Sequence, residues 1–526
     1  MARTGTRVAL AAASLIACTR GSSNEQTPRL GKLLHAGQVR ALAPSPDGAA
    51  LAFLEGCRDV KAQFLPPQTA RCDLAVVPAA GGGAAKVAAG VTTLPHGLAW
   101  SPDGKALVAM ADYDHANAAA TLVLWRSGAA RPLADGVTFH GFGAHGELGF
   151  VAGGKLSVML PGDEAPRAVA GAERIASFDL SPMEFATCDF VDGVLVRLVA
   201  RRTYAAGGEL LASDCRMAEA RPLERGQVGE YGFARASPYL AYTVHAKEGA
   251  ALRLVQTTES IVSVELGKGA QAFAFGPDGR TVAFLADVVP GKQGNLHLGA
   301  TGKRDVILAR EVGEFRWAAA APRLAWLEKY DPRVRSGVLG AGGPGLAPRA
   351  IAQNVSDVEL SPDGRYVAFL QHTTRGGYSV DLGLVRLDAP PTEKPVTIAQ
   401  GAFGFSFSPD GTWLYYRTRC VRNAEACDLE RVPAAGLAPG AKPEPVAQGM
   451  KSFEFDPRDP GRLLLTWQRM DMVALDLAVW EGGKLTRIDT AILPGSARFL
   501  GPDSRRVAYV VVHPKRAGVY VADLRE

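Results

Sequence analysis

A short string, Ser-Pro-Asp-Gly, occurs four times in this sequence of 526 residues, beginning at Ser45, Ser101, Ser361 and Ser408. Near-copies begin at Gly276 and Gly501, and more degenerate versions lie near His145, Pro182, Pro238, Pro322 and Pro457. Counted from the prolines or their equivalents, neighbouring copies are roughly 38 to 56 residues apart, and most are near 45. That spacing is typical of a four-stranded propeller blade. The sequence therefore predicts a repeat protein with about eleven copies of one unit.

The chemistry of the string is that of a tight turn. Proline fixes φ, aspartate hydrogen-bonds to nearby backbone, and glycine adopts the positive φ that closes the turn. We therefore expect the motif aspartates to form turns and not to serve in catalysis or metal binding; they are Asp47, Asp103, Asp278, Asp363 and Asp410.

Apolar segments with strand character surround each turn. An alternating strand such as 403–407 precedes it, and one such as 366–370 follows it. A third strand such as 73–77 and a short fourth strand such as 445–448 complete the repeat. Trp100, at the strand end before a motif, is expected to pack between blades. The pattern predicts an all-β chain, a β-propeller of about eleven four-stranded blades.

The strand-turn-strand signature resembles the WD40-like repeats of the C-terminal half of TolB and of the propellers of prolyl-oligopeptidase-type enzymes. The resemblance covers nearly all of residues 29–526. It implies the fold but not a function, because propellers serve many functions. TolB carries an α/β domain ahead of its blades; we expect none here, because the first Ser-Pro-Asp-Gly string begins at Ser45.

Ring closure suggests two domains, since propellers usually close with four to eight blades. The last blade, 505–524, has no fourth strand, whereas 29–38 reads like a fourth strand placed before the first blade. A similar opening recurs at 221–227, and each is expected to begin a ring by completing its last blade. The predicted domains are a first propeller of about four blades at 29–220 and a second of about seven at 221–526.

The N-terminus resembles that of a bacterial lipoprotein. Arg3 and Arg7 precede an apolar run, 8–17, that is too short to span a bilayer. The run ends at Leu-Ile-Ala-Cys, which is similar to a lipobox and makes Cys18 the predicted site of lipidation. The alternative is an ordinary signal peptide with a chance cysteine. We expect a signal peptide at 1–17 and a flexible tether at 18–28.

These features predict a lipid-anchored protein of the bacterial cell envelope, facing the periplasm or on the outer membrane. No later segment contains about 18 uninterrupted apolar residues, so the lipid is expected to be the only membrane attachment. The net charge of +5, without basic runs interleaved with aromatic residues, gives little support to nucleic-acid binding.

The six remaining cysteines form an even number, which suits an oxidising compartment. Cys57 and Cys420 each follow a motif proline by eleven residues, and Cys72 and Cys427 begin nearly identical strings. Adjacent antiparallel strands bring such positions within disulfide range. The predicted bridges are Cys57–Cys72 and Cys420–Cys427, with Cys188–Cys215 left as the third. A zinc site is the alternative, but no pair has the close spacing of a structural zinc motif.

The sequence offers no clear catalytic centre. A prolyl-oligopeptidase-type enzyme needs a Gly-x-Ser-x-Gly elbow, and the nearest string, 377–381, lacks the last glycine. The acidic segment 112–115 reads as a solvated hairpin loop, although it could bind a cation. We predict no catalytic, cofactor-binding or metal-binding residues.

Two functions remain open. The favoured one is a non-enzymatic binding or scaffold propeller for a protein, peptide or glycan of the envelope. The alternative is a propeller enzyme, a lyase or hydrolase, with its site at the central channel. Three or more His, Asp or Glu side chains converging on one channel mouth would favour the enzyme, and an apolar or mixed rim would favour binding.

Overall fold

A computed structural model describes residues 31–525, with gaps at 61–69, 94–96, 115, 184–196, 205–206, 215, 236, 247–248, 259–262, 289–292, 301–302, 374–378, 422–425, 436–441 and 469–473. The described residues contain strands and turns and no helix. None of them, accordingly, belongs to a helix long and apolar enough to cross a membrane.

The strands follow one another in chain order. The first are β1 (Lys32–Ala36), β2 (Val39–Pro44), β3 (Ala50–Asp59), β4 (Ala70–Pro78), β5 (Ala85–Thr92), β6 (Leu98–Trp100), β7 (Ala106–Asp114), β8 (Ala119–Arg126), β9 (Ala129–Phe142), β10 (Leu148–Ala152), β11 (Lys155–Met159), β12 (Arg167–Ala168), β13 (Ile175–Leu180), β14 (Leu198–Tyr204), β15 (Gly207–Ser213) and β16 (Ala220–Arg225). The next are β17 (Gln227–Phe233), β18 (Tyr239–Ala246), β19 (Gly249–Gln256), β20 (Ser263–Lys268), β21 (Ala272–Phe275), β22 (Thr281–Ala286), β23 (Gly294–Ala300), β24 (Lys303–Trp317), β25 (Leu324–Asp331), β26 (Ser336–Gly343), β27 (Leu346–Leu360), β28 (Tyr366–Thr373), β29 (Ser379–Arg386) and β30 (Val396–Ala399). The last are β31 (Gly404–Phe407), β32 (Trp413–Val421), β33 (Ala426–Pro433), β34 (Glu444–Met450), β35 (Ser452–Phe455), β36 (Arg462–Gln468), β37 (Leu475–Glu481), β38 (Lys484–Ile492), β39 (Arg498–Leu500), β40 (Arg506–Val511) and β41 (Gly518–Asp523).

The repeated string folds as the predicted turn. At the first copy, the Ser45 hydroxyl donates to the Asp47 carboxylate at 2.5 Å and accepts the N–H of Ala50 at 3.0 Å. Gly48 has a φ of 68°, the left-handed conformation that glycine adopts without strain. The same serine–aspartate contact recurs at the other three full copies. The predicted role of the motif aspartates as turn formers is confirmed. The serine hydroxyl adds further hydrogen bonds across the turn.

The strands form antiparallel four-stranded units connected in sequence. Four of these units stand as separate sheets: β2–β5, β13–β16, β17–β20 and β31–β34. Elsewhere one long strand serves two units. Strand β24, for example, pairs with β23 up to Val312 and with β25 from Val312 to Trp317. These units are the blades of the predicted propeller.

The sheets pack face to face in chain order. Leu54 and Leu107 lie in one buried cluster between the first two units, and Val199 and Leu240 lie in another between the sheets that begin with β13 and β17. The last sheet also packs on the first, through a cluster that includes Leu51 and Val510. Face-to-face packing of successive four-stranded sheets defines a β-propeller. The chain is therefore an all-β propeller.

The N-terminal strand completes the last blade. Strand β1 pairs antiparallel with β41, with Lys32 opposite Val521, and so supplies the fourth strand beside β39, β40 and β41. This confirms that the N-terminal segment acts as a displaced fourth strand. We call the junction of β1 and the last blade with the first blade the seam.

The second predicted opening, 221–227, is placed differently. Most of this segment lies in β16, which pairs with β15 as the fourth strand of its own sheet. It therefore does not complete the last blade, which β1 already completes. The division of the chain into two rings near residue 221 stays a prediction, as does the number of blades.

Two disulfides cross-link second and third strands of their blades. They join Cys57 to Cys72 and Cys420 to Cys427, the pairs that the sequence predicts. In both hairpins the residue before the first cysteine, Gly56 or Arg419, has a positive φ within an irregular stretch of the strand pair. Cys18, Cys188 and Cys215 lie outside the described residues.

Candidate functional site

A cavity of about 1240 Å³, which we call the channel cavity, lies along the first strands of neighbouring blades. First strands such as β13, β17 and β21 have a strand neighbour on one side only, so their other edges face the centre of the propeller. The aromatic side chains on the cavity wall are Phe139, Phe178, Tyr231, Phe233, Phe273, Phe275 and Trp317. Its charged or titratable side chains are Asp179, Arg201, Glu230, Arg235 and His245.

At one position on the first strands, a side chain can bridge to the next first strand. Each first strand is followed by a residue, such as Ser361 or Ala234, whose backbone N–H donates to a carbonyl at the start of the second strand. The position lies two residues before that residue. We call it the bridging position. In β27 it is Glu359, whose carboxylate accepts the N–H of Phe407 on the next first strand at 3.0 Å. Charged residues at this position therefore tie consecutive blades together.

Along the cavity, two consecutive first strands lack this bridge. Asp179 holds the bridging position of β13 and accepts the N–H of Phe233 at 3.2 Å, which forms one side of the site. The next two bridging positions are Gly232 and Ala274. A Cβ at Gly232 would meet only a carboxylate oxygen of Asp179, at 4.0 Å. The small residues leave space that Glu359 or Asp179 fills elsewhere.

The aromatic side chains of the wall contact one another edge to face. Phe139 and Phe178 have ring centroids 5.2 Å apart and an interplanar angle of 87°. Phe273 and Phe275 form a similar pair at 6.3 Å. Phe139 is 38% exposed, which is high for a phenylalanine in a structured strand. Edge-to-face pairs hold their rings in place, so the wall presents a preformed apolar surface.

A polar cluster interrupts this surface between β13 and β17. The hydroxyl groups of Tyr231 and Ser177 lie 2.7 Å apart. Burial raises the pKa of Tyr231, so its hydroxyl stays protonated and can donate a hydrogen bond at neutral pH. Arg201 lines the same cavity, and its buried Nε has no hydrogen-bond partner among the described residues. The site thus offers polar groups beside its aromatic wall.

The arrangement of the titratable groups bears on catalysis. Asp179, Glu230 and His245 all line the cavity. Within the described part of the chain, however, no hydrogen bond or ion pair joins any two of these three side chains. No group of three or more His, Cys, Asp or Glu among the described residues could hold a metal ion. The lining is therefore mixed, aromatic with dispersed charges, and it includes three His, Asp or Glu side chains that do not contact one another among the described residues.

The sequence analysis singled out none of these side chains. The acidic segment that it discussed lies elsewhere, at the end of β7, where Asp114 accepts the N–H of Ala116 within an exposed turn. His115 lies outside the described residues. Glycine or alanine at the bridging position is not by itself a signal for the cavity, because Ala43, Ala99 and Gly141 hold the same position in other repeats.

The buried carboxyl of Asp179 predicts an unusual pH dependence. Burial raises its pKa, so the folded state favours the protonated form, and the stabilising contribution is lost as pH rises through the raised value. Asp179→Asn mimics the protonated form. We expect the variant to unfold at or above the parent's temperature at neutral pH, with a difference that shrinks towards zero in acid.

Asp103 is the matched control, because its hydrogen bond from Ser101 lowers its pKa. Asp103→Asn should therefore lower the unfolding temperature at neutral pH, and the loss should vanish as pH falls through the lowered pKa. Thermal unfolding of the three proteins across pH measures both effects. Equal pH profiles for the parent and Asp179→Asn would contradict the assignment.

Comparisons with known proteins find similarity in fold only. No model of a protein family matches the sequence, and no curated protein matches it. Among solved structures, a eukaryotic initiation factor is 12% identical with a TM-score of 0.40 and covers 80% of this chain and 91% of its own. The Dos1 propeller is 11% identical, with a TM-score of 0.36 and coverage of 69% and 95%. An oligogalacturonate lyase in complex with manganese is 15% identical, with a TM-score of 0.30 and coverage of 62% and 96%. Similarity at this level carries no information about function.

Proposed function

We propose that this chain is a lipid-anchored lipoprotein of the bacterial envelope whose propeller binds a protein, peptide or glycan partner, without catalysing a reaction. The observation that carries the proposal is the cavity along the first strands, with its aromatic wall and dispersed polar groups. Concave, largely apolar sites with a few polar groups are the usual form of ligand sites.

The chemistry of the site suits such partners. Edge-to-face pairs such as Phe139 and Phe178 offer flat apolar surface to an apolar side chain or to the face of a sugar ring. The free edge of β17 offers backbone donors and acceptors, which an extended peptide can use. The hydroxyl of Tyr231 and the guanidinium of Arg201 can fix the orientation of a ligand.

Sequence features support the location. The arginines and apolar run before Cys18 resemble a lipoprotein signal, and the repeats resemble those of TolB. The two described disulfides suit an oxidising compartment outside the cytoplasm.

Filling the cavity tests the binding proposal. Gly232→Trp places an indole in open space on β17, at a backbone that any residue can adopt. Mature protein carrying Cys18→Ala would be immobilised and exposed to envelope extract, and captured material would be analysed by mass spectrometry. We expect the bound partner to fall at least about tenfold, which corresponds to a loss of about 1.4 kcal/mol of binding.

The chain provides a matched control at Gly404 on β31, another first strand away from this cavity. A Cβ there would meet only the side chain of Arg417, at 3.9 Å. Gly404→Trp should capture the partner as well as the parent does. If Gly232→Trp retains the same partner at the same level while remaining folded, the cavity is not the binding site.

Cys18→Ala tests the anchor. The variant should lose metabolic labelling by fatty acid and should move from the membrane fraction to the soluble fraction of cells, because the lipid is the proposed attachment. Fractionation of cells expressing the parent and the variant measures this. Continued membrane retention of Cys18→Ala would contradict the lipoprotein proposal.

A further inference from the structure

A second cavity, of about 740 Å³, lies at the seam. Its cationic side chains come from three separate segments: Lys32 from β1, Arg506 from β40, and Arg525 after β41. Asp523 is its acidic side chain among the described residues, and the backbone of 79–80 forms the opposite wall. The closing strand thus brings together three positive charges that are far apart in sequence.

Among the described residues, one of these three cations forms an ion pair and the other two contact backbone carbonyls. Arg525 pairs with Asp523 at 2.7 Å, which lowers the pKa of Asp523 to about 2 and keeps that carboxylate ionised. Lys32 donates to the carbonyl of Ala80 at 3.2 Å, and Arg506 donates to the carbonyl of Gly48 at 3.3 Å. No ion pair involves Lys32 or Arg506 in the described part of the chain. The described side chains that line the cavity therefore carry three positive charges and one negative charge.

Such a cavity suits a phosphate group. Lysine and arginine bind phosphate by charge-assisted hydrogen bonds, and each of these two side chains has N–H groups beyond the one that a carbonyl accepts. The backbone carbonyls already contacted hold both cations at the cavity wall. A ligand of one phosphate would balance most of the uncompensated charge.

The proposed anchor places this cavity near a membrane. Gly31 lines the cavity, and Cys18 precedes it by 13 residues. Thirteen extended residues span at most about 45 Å. The cavity also lies at the end of the blades that carries the Ser-Pro-Asp-Gly turns, because β40 begins at Arg506 directly after such a turn. A chain anchored at Cys18 can therefore place this end of the last blade at the lipid headgroups.

We infer that the seam cavity binds the phosphate of an anionic phospholipid and seats the propeller on the membrane with the turn-bearing end towards the bilayer. The inference rests on the lipid anchor of the proposed function for its orientation. It does not depend on the channel cavity. Lys32 and Arg506 are the residues that make the contact.

The experiment uses the chain from residue 19 onward, so that binding is measured without the lipid and without the apolar segment 8–17. Its partition onto vesicles of phosphatidylglycerol and phosphatidylcholine would be compared with its partition onto phosphatidylcholine alone, by co-sedimentation at low salt. We expect binding to the anionic vesicles only, and about 25-fold weaker binding for Lys32→Gln combined with Arg506→Gln, at about fivefold for each charge removed.

Lys155→Gln is the matched control, since this exposed lysine begins β11 after a hairpin at the opposite end of its blade. It should bind like the parent. Lys32→Arg should also bind, which separates loss of charge from loss of folding at β1. Binding that is equal for the parent and the double variant, or equal on both kinds of vesicle, would overturn the inference.

Soluble glycerol phosphate distinguishes a phospholipid headgroup from a free phosphate ester as the ligand of the cavity. Under the inference it competes weakly and vesicles bind the protein. Tight binding of glycerol phosphate without vesicle binding would overturn the membrane assignment. Because Cys18 is absent throughout, failure here leaves the anchor and the channel cavity untouched, and their own variants test them separately.

Discussion

Deletion of residues 29–38 is expected to lower the thermal stability of the mature protein far more than removal of a surface loop of equal length. The deleted segment contains β1, which supplies the outer strand of the last blade and lies at the seam. Without it, β41 becomes an open edge, and the contact between the last and first blades loses one of its components. Thermal unfolding of the deletion and the parent measures the effect.

The contacts of β1 explain the size of the expected loss. The strand forms several backbone hydrogen bonds with β41, each with a net contribution of roughly 1 kcal/mol. The N–H of Gly31 donates to the hydroxyl of Tyr509 at 2.8 Å, and the ring of His35 is hydrogen-bonded to Glu55 in the first blade at 2.7 Å. Leu34 packs on the cluster between the two blades. Together these contacts rival the roughly 5 to 15 kcal/mol that stabilises a typical domain.

Removal of residues 19–26 is the control, because that segment belongs to the predicted tether. We expect this truncation to unfold like the parent. If both truncations unfold like the parent, β1 contributes nothing to closure and the assignment of the seam is wrong.

Asp489→Ala should give the second large loss, about 3 kcal/mol or more of unfolding free energy. The carboxylate of Asp489 is fully buried and accepts two hydrogen bonds from Arg516, at 2.8 and 3.3 Å. It also accepts the hydroxyl proton of Tyr509 at 3.1 Å. Removal of the carboxylate leaves a partly buried guanidinium without its counter-ion, which is the costly way to break such a pair. Denaturant unfolding measures the change.

The same network reaches the closing strand, because the hydroxyl of Tyr509 donates a hydrogen bond to Asp489 and accepts one from the N–H of Gly31. Burial raises the pKa of Tyr509, so this hydroxyl keeps its proton. Asp523→Ala is the control: its partner Arg525 is more than half exposed, and exposed pairs contribute little. Similar losses in both variants would show that burial of Asp489 does not set the effect.

Local patterns in the sequence predicted much of the fold. The turn motif repeats with its full chemistry, so the strand-turn-strand units and the two described disulfides could be read directly from it. The closing strand could also be predicted, since the last blade lacks a fourth strand of its own and an additional strand precedes the first blade. Each of these features depends on residues close together within one repeat, or on a simple count of strands.

Features that depend on contacts between repeats could not be read in this way. The segment 221–227 resembles 29–38, yet it pairs within its own blade. Sequence similarity alone does not say which partner a strand takes. Gly232 and Ala274 hold the bridging position and line the channel cavity. Other small residues at the bridging position do not line it; they are Ala43, Ala99 and Gly141. A glycine in a strand has no meaning of its own until its neighbours across the blades are known.

Site-specific photo-crosslinking tests most directly the claim that the channel cavity binds an envelope partner. The photoreactive residue p-benzoylphenylalanine would replace Phe139, a partly exposed aromatic residue of the cavity wall, and separately Val334, which is 62% exposed in a hairpin turn and away from the cavity. Cells expressing each protein would be irradiated, and covalent adducts would be identified by mass spectrometry. We predict one specific adduct at position 139 that disappears when Gly232→Trp is added, and none at position 334. Adducts at position 334 with none at position 139 would contradict it.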